Sequence, residues 1–345
     1  MTPADQILLP TTVVGSYSVP EWLERLKTEY YQRRISAQHL TEIHDVAIKA
    51  AVKDQELAGI DIVSDGELRR DNDVDYFLAR IPGVHIPQRA KTDYFDYYDA
   101  EVTRPLPDGP ETGPGLGLAE DFRFTRQLTR RPVKFSFTGP FSLSRRIRDG
   151  AYSEPGDLVR ALARRLNAEA RELAAAGAEF LQIDEPFLAG YPEHVELAVE
   201  AVNIVLEDVP AKWALHVCYG NRYARPSWEG HYDFLFPAVK AARVDQIVLE
   251  FARKGLEDLK LIRQHDWDRG LGFGVIDVKS SQVELAEVVA SRIRRALEYV
   301  PAAQLMINPD CGLRHLAPDV ALAKLHAMVA GVAAVRTELQ GGDPA

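Results

Sequence analysis

Short apolar runs alternate with longer amphipathic stretches along most of the chain, the pattern of repeated strand–helix units. Residues 11–16, 60–67, 133–139, 179–185, 212–218, 246–250, 271–277 and 305–308 read as eight strands. Between them apolar positions recur at helical spacing. Residues 40–57 carry Ile43, Val46, Ala47, Ala50 and Ala51 on one stripe, and 158–175, 195–206, 283–299 and 317–339 read as further helices. A polar helical region follows the first strand, and a loop with a helix leads up to Ala242. Eight strands alternating with helices predict an α/β fold, a single (β/α)8 TIM barrel spanning residues 1–345. An open doubly wound sheet is the competing architecture, but its glycine-rich first turn is missing.

Residues 79–118 break the rhythm with six prolines (Pro82, Pro87, Pro105, Pro107, Pro110, Pro114) and the aromatic cluster Tyr94, Phe95, Tyr97 and Tyr98. A structureless loop of this length is unusual in a compact domain, so an insertion between strands 2 and 3 with hairpin structure is expected. Within it, Gly113-Pro114-Gly115-Leu116-Gly117 neither follows a strand nor opens a helix in this reading. It therefore lacks the strand–helix context that a phosphate-binding loop needs. The tail from Gly341 to Ala345 is read as loose.

The net charge of −10 over 345 residues argues against nucleic acid or an anionic membrane surface as a main partner. The first residues, Met1 to Gln6, show no basic region followed by an apolar core, and no uninterrupted apolar run reaches about 18 residues. Two cysteines cannot build a disulfide framework and suit a reducing cytoplasm.

Both cysteines nevertheless fall where chemistry is expected. His216 and Cys218 end the fifth strand, and residues two apart on a strand face the same side. Cys311 follows the eighth strand. Barrel active sites gather at the C-terminal strand ends. Those ends read Gly15-Ser16, Asp65-Gly66-Glu67, Thr138-Gly139-Pro140, Asp184-Glu185-Pro186, His216-Val217-Cys218, Glu250, Asp277-Val278-Lys279 and Asp310-Cys311-Gly312. Polar residues often begin where a strand stops, and a buried histidine or thiol is often plain core. That explains any one position; it explains poorly two cysteines, a histidine and several acids together. His216, Cys218, Glu250 and Cys311 would supply nitrogen, sulfur and oxygen ligands suited to tetrahedral zinc (Zn), which holds a bound thiol as its thiolate. For Glu250 an ion pair with Arg253 or another base is the competing reading.

Thr11-Thr12-Val13-Val14-Gly15-Ser16, Asp65-Gly66-Glu67, Thr138-Gly139-Pro140, Gln182-Ile183-Asp184-Glu185-Pro186, His216-Val217-Cys218-Tyr219-Gly220, Gly274-Val275-Ile276-Asp277 and Asn308-Pro309-Asp310-Cys311-Gly312-Leu313 resemble the catalytic domain of cobalamin-independent methionine synthase, in order and over essentially the whole chain. The resemblance implies a zinc-dependent methyltransferase acting on the thiol of homocysteine to give methionine, with zinc on His216, Cys218, Glu250 and Cys311. It implies that the amino-acid part of homocysteine lies against Gly15, Ser16, Glu67 and Asp184. Two carboxylates converging on an ammonium group agree with charge-assisted hydrogen bonding.

Four features depart from that family. Its second, N-terminal barrel has no counterpart in this sequence, Arg146 stands at the spacing of its pterin-stacking tryptophan, and Gly190 at that of its pterin-binding glutamate. Lys279 replaces a histidine after the seventh strand, so Lys279, as proton donor or as fixed cation, is a candidate for catalysis there together with Asp277. The fragment His216-Val217-Cys218-Tyr219-Gly220-Asn221 and the run Leu249-Glu250-Phe251-Ala252-Arg253 resemble most the short, single-barrel branch, which includes minimal methionine synthases, some of them taking methyl groups from a methylcorrinoid. The donor is left open between a methylfolate and a methylcorrinoid, with a corrinoid protein as the partner in the second case. The alternatives are alkyl transfer to another thiol such as coenzyme M opening an epoxide, a corrinoid-linked or decarboxylase-type barrel without zinc, and a non-catalytic zinc protein.

Overall fold

The computed structural model describes residues 7–107 and 115–341. The expectations about Met1 to Gln6, about Pro110, Gly113 and Pro114, and about the tail past Gly341 lie outside them.

In chain order the strands are β1 (Ala100–Val102), β2 (Lys134–Thr138), β3 (Ile147–Asp149), β4 (Phe180–Asp184), β5 (Lys212–His216), β6 (Gln246–Leu249), β7 (Gly270–Ile276) and β8 (Leu305–Pro309). Six of them form one parallel sheet in the order β2-β4-β5-β6-β7-β8. The two strands expected at 11–16 and 60–67 survive as single bridges, Thr11 to Ile307, Thr12 to Ile62 and Val63 to Val133, all parallel. They carry the hydrogen bonding from β8 round to β2. Side chains take over part of that ladder: Thr11 donates its amide and hydroxyl to Asp61 Oδ2, both at 2.8 Å, and the Thr12 hydroxyl donates to the Ile62 carbonyl. Carboxylate and hydroxyl thereby occupy positions that backbone groups would fill in a longer strand.

Parallel strands covered on both faces are apolar throughout, and β6 and β8 are buried along their whole length. Val14, Ile62, Phe180, Ala214, Val248 and Met306, from six of the ring's eight strand segments (all but β2 and β7), form a small core of their own inside it. The large core lies between sheet and helices. Helices α1 (Glu21–Tyr31), α2 (Ala37–Ala58), α3 (Asp75–Leu78), α4 (Leu118–Leu128), α5 (Pro140–Ser144), α6 (Pro155–Ala175), α7 (Val195–Leu206), α8 (Leu259–Gln264), α9 (Ala286–Leu297) and α10 (Pro318–Gly341) occupy the intervals. The helix expected before Ala242 is two 3-10 turns, Tyr232–Leu235 and Ala238–Ala241.

Helix α2 is rotated from the expected stripe. Ile43, Ala47, Ile48, Ala51 and Val52 are buried with His44 and Gln55, whereas Val46 and Ala50 face out. Gln55 belongs inside because its amide closes a reciprocal pair with the Ser64 backbone at 2.9 and 3.0 Å. Helix α10 is long and apolar enough to cross a membrane by composition. It is instead a core helix, burying Leu325, Met328, Val332 and Val335 and fixing Lys324 on Glu284 and Arg336 on Asp61.

In the proline-rich stretch, His85 bridges Glu101 antiparallel, and β1 pairs with β3 in parallel. Gly117 caps α4 at φ +82°, so the glycine-rich run does open a helix.

Candidate metal centre

A cavity of about 720 Å³ opens at the C-terminal strand ends, and Gly15, Ser16, Glu67, Asp184, His216, Cys218 and Cys311 all line it. Strand β5 delivers His216 at its last position, and Cys218 follows two residues on. Both are buried, while Cys311 is half-buried. The imidazole is oriented by its Nδ1, 3.2 Å from the Val248 carbonyl, so Nε2 faces the Cys311 sulfur at 3.8 Å. The ligand atoms of His216, Cys218 and Cys311 lie within 4.8 Å of one another. A tetrahedral zinc with bonds of about 2.0–2.3 Å spaces its ligands about 3.3–3.8 Å apart, so this donor set fits one ion with small side-chain adjustment. The carbonyl behind His216 is the kind of support that metal-bound imidazoles have.

The two thiols differ in character. Its contact with Cys218 is the main influence that holds the Cys311 thiol well below the usual range, against the effect of burial, with His216 adding to it. The same contact, with burial, pushes Cys218 up. Burial works to lower the His216 pKa, but the Cys311 sulfur, Asp184 and Glu250 turn the net shift upward.

Glu250, the fourth expected ligand, is buried and engaged: Lys279 Nζ lies 3.0 Å from both carboxylate oxygens, and the Tyr219 amide donates to Oε1 at 3.1 Å. The ion pair considered for Glu250 therefore exists with Lys279; Arg253 pairs instead with Glu229. Lys279 and Asp277 are absent from the cavity lining. Asp277 Oδ1 accepts the Lys279 amide at 2.8 Å, closing the turn that presents the lysine.

The acids expected at the amino-acid end do share the cavity wall. Glu67 sits at φ +56° after the turn at Gly66, and its Oε1 accepts from the Ser136 hydroxyl at 2.7 Å and pairs with Arg70 at 3.2 Å. Asp184 Oδ1 accepts from Gln182 Nε2 at 2.6 Å, and Gln182 Oε1 in turn accepts from Lys134 Nζ at 2.6 Å. Burial pushes the Asp184 carboxyl up to about 7, with His216 opposing and Glu67 reinforcing.

Several residues escaped the sequence reading. Lys134 and Gln182 hold Asp184 from below; a lysine inside a buried strand was the available signal. Trp228 was invisible: a Cβ on Gly190 would lie 2.1 Å from its ring, so the indole fills the space that a side chain at 190 would take. Trp228 lines the cavity and packs on Phe187 with ring centroids 5.6 Å apart.

Residues 9–334 match the cobalamin-independent synthase catalytic domain family. A methionine synthase of Saccharolobus islandicus (strain L.S.2.15 / Lassen #1) is 36% identical over 334 residues, covering 96% of each chain. One from Sulfurisphaera tokodaii is 33% identical over 341 residues, covering 96% of this chain and 94% of that one. Among solved structures, a B12-independent methionine synthase from Shewanella sp. W3-18-1, in complex with selenomethionine, superposes with a TM-score of 0.84 at 29% identity, covering 97% of this chain and all of the other.

Proposed function

The chain belongs to the cobalamin-independent methionine synthase family through its catalytic domain, and on that footing we propose that it methylates the thiol of homocysteine to give methionine. We read it as one (β/α)8 barrel domain over residues 1–345, with 79–118 an excursion between the second and third strands. The observation that carries the functional reading is the convergence of His216, Cys218 and Cys311 on the cavity that also holds Glu67 and Asp184. His216, Cys218 and Cys311 would hold zinc, with Glu250 as the fourth ligand. Bound there, zinc supplies Lewis acidity that keeps an incoming thiol deprotonated near neutral pH.

The remaining work falls to the chain's own groups. Glu67 and Asp184 take the ammonium group of the amino acid, and the backbone at Gly15 and Ser16 takes its carboxylate. A neighbouring ammonium stabilises the carboxylate form of Asp184, so binding offsets the effect of burial. The acceptor sulfur gains a bond to the methyl carbon as the donor's bond to that carbon breaks, and the donor leaves with the electron pair. The donor is a methylfolate or a methylcorrinoid, the latter on a corrinoid protein. Lys279 acts through Glu250, and Asp277 through Lys279; both are positioning residues. Cys218 and Cys311 need reduced thiols, which suits the cytoplasm.

Product analysis tests this reading. The zinc-loaded protein is incubated with homocysteine and, in turn, methyltetrahydrofolate with one or three glutamates, methylcobalamin and simple methylated thioethers. Methionine is expected with at least one donor. Alkylation of coenzyme M without methionine from any donor would overturn the reading, since a sulfonate thiol leaves Glu67 and Asp184 unpartnered.

A further inference from the structure

Two arginines on the cavity wall, Arg146 beyond α5 and Arg222 beyond β5, have no role in holding the metal or the amino acid. Both guanidinium groups lie over the ring of Tyr97, 4.2 and 4.6 Å from its centroid. Neither has a carboxylate partner among the described residues, and Arg146 Nε is buried with no hydrogen-bond partner. The acids on the same wall are engaged: Asp73 Oδ1 accepts the Tyr97 hydroxyl at 2.7 Å, and Asp96 Oδ2 accepts the Asp93 amide at 3.3 Å. Tyr97 is thereby fixed from below while it splints the arginines from the side.

Stacking on an aromatic face immobilises a guanidinium yet leaves its in-plane N–H groups free to donate. Two cations gathered on one ring repel each other, and a shared anion would turn that repulsion into attraction. We propose that Arg146 and Arg222, splinted by Tyr97, form an anion subsite that takes a carboxylate or phosphate group of the methyl donor. The assignment rests on the acceptor reading above, in which Glu67, Asp184 and the Gly15-Ser16 backbone already take both charged ends of the amino acid.

The test compares zinc-loaded wild type with Arg146→Met, Arg222→Met and the corresponding lysine variants, each checked for unchanged thermal unfolding. Equilibrium binding is measured for homocysteine and for three donor probes: methyltetrahydrofolate with one glutamate, the same with three, and methylcobalamin, whose nucleotide carries a phosphodiester. At least one probe is expected to bind wild type and to weaken about tenfold or more in each methionine variant, as loss of a charge-assisted hydrogen bond implies. Lysine is expected to recover part of that loss, and homocysteine affinity to stay within about twofold. An advantage of three glutamates over one that vanishes in the variants assigns carboxylate; a loss confined to methylcobalamin assigns phosphate. The subsite is overturned if wild type binds none of the probes, if both variants bind them unchanged, or if homocysteine binding weakens as much as donor binding. Methionine formation by wild type is scored separately. Its absence alongside arginine-dependent probe binding would sink the activity and leave the subsite standing.

Discussion

A methyl group placed on Gly15 would lie 2.2 Å from Oε1 of Glu67 and 2.7 Å from the Ser136 hydroxyl. Glycine at 15 is thus the condition for Glu67 to stand where it does, between Ser136 and Arg70. Gly15→Ala is expected to displace the carboxylate and weaken homocysteine binding about tenfold or more, the scale of a lost charge-assisted contact. Zinc content should stay at one per chain, because the groups that a methyl on residue 15 would displace, Glu67 and Ser136, are not among the proposed ligands. Calorimetry with homocysteine, beside metal analysis of the same sample, checks both halves.

The Glu250–Lys279 pair is buried at both ends, with side chains 0% and 4% exposed. Removing one partner of such a pair costs about 3–5 kcal/mol, since the other charge is left without compensation. Lys279→Met alone should therefore destabilise strongly, and the double variant Glu250→Gln/Lys279→Met much less than the sum of the singles. A urea-unfolding double-mutant cycle measures the coupling. Additive losses would mean that Lys279 has its main role elsewhere.

Gly190 and Trp228 share one space. Gly190→Glu should expel the indole and expose it to water, giving a red-shifted tryptophan emission and a raised KM for the methyl donor. The KM for homocysteine should change little. Unaltered emission would mean that the loop carrying Trp228 yields elsewhere.

His44 gives a pH dependence away from the metal site. Burial, with Lys27, Arg69 and Arg80 close by, lowers its pKa to about 2, and its Nε2 has no partner. The folded pKa lies below the unfolded value of about 6.5, so the unfolded chain takes up a proton first as the pH falls. The stability at stake is fully present above about pH 6.5 and drains below it, by about 1.4 kcal/mol per pH unit. Between pH 7 and 5 wild type should therefore lose about 2 kcal/mol more than His44→Phe. Urea unfolding at the two pH values shows this, and parallel profiles would count against it.

Much of the site was legible because strand ends are sequence-local. An apolar run that stops at His216-Val217-Cys218 and another that stops before Cys311 are brought together by the closed sheet alone, whatever the loops do. Side-chain partnership across strands was not legible. Arg253, nearest Glu250 in sequence, reaches Glu229, while Lys279 arrives from the next strand. Trp228 reaches Gly190 from another loop. The first two strands were read at full length, yet Asp61 and Thr12 side chains take over their hydrogen bonds and shorten them to bridges.

Zinc-edge X-ray absorption of the zinc-loaded protein, before and after homocysteine, tests the thiol site most directly. Two sulfur neighbours at about 2.3 Å are expected before, from Cys218 and Cys311, and three after, the third from the substrate. A sulfur count that homocysteine leaves unchanged, at saturating ligand, would contradict a site built to present that thiol for methylation.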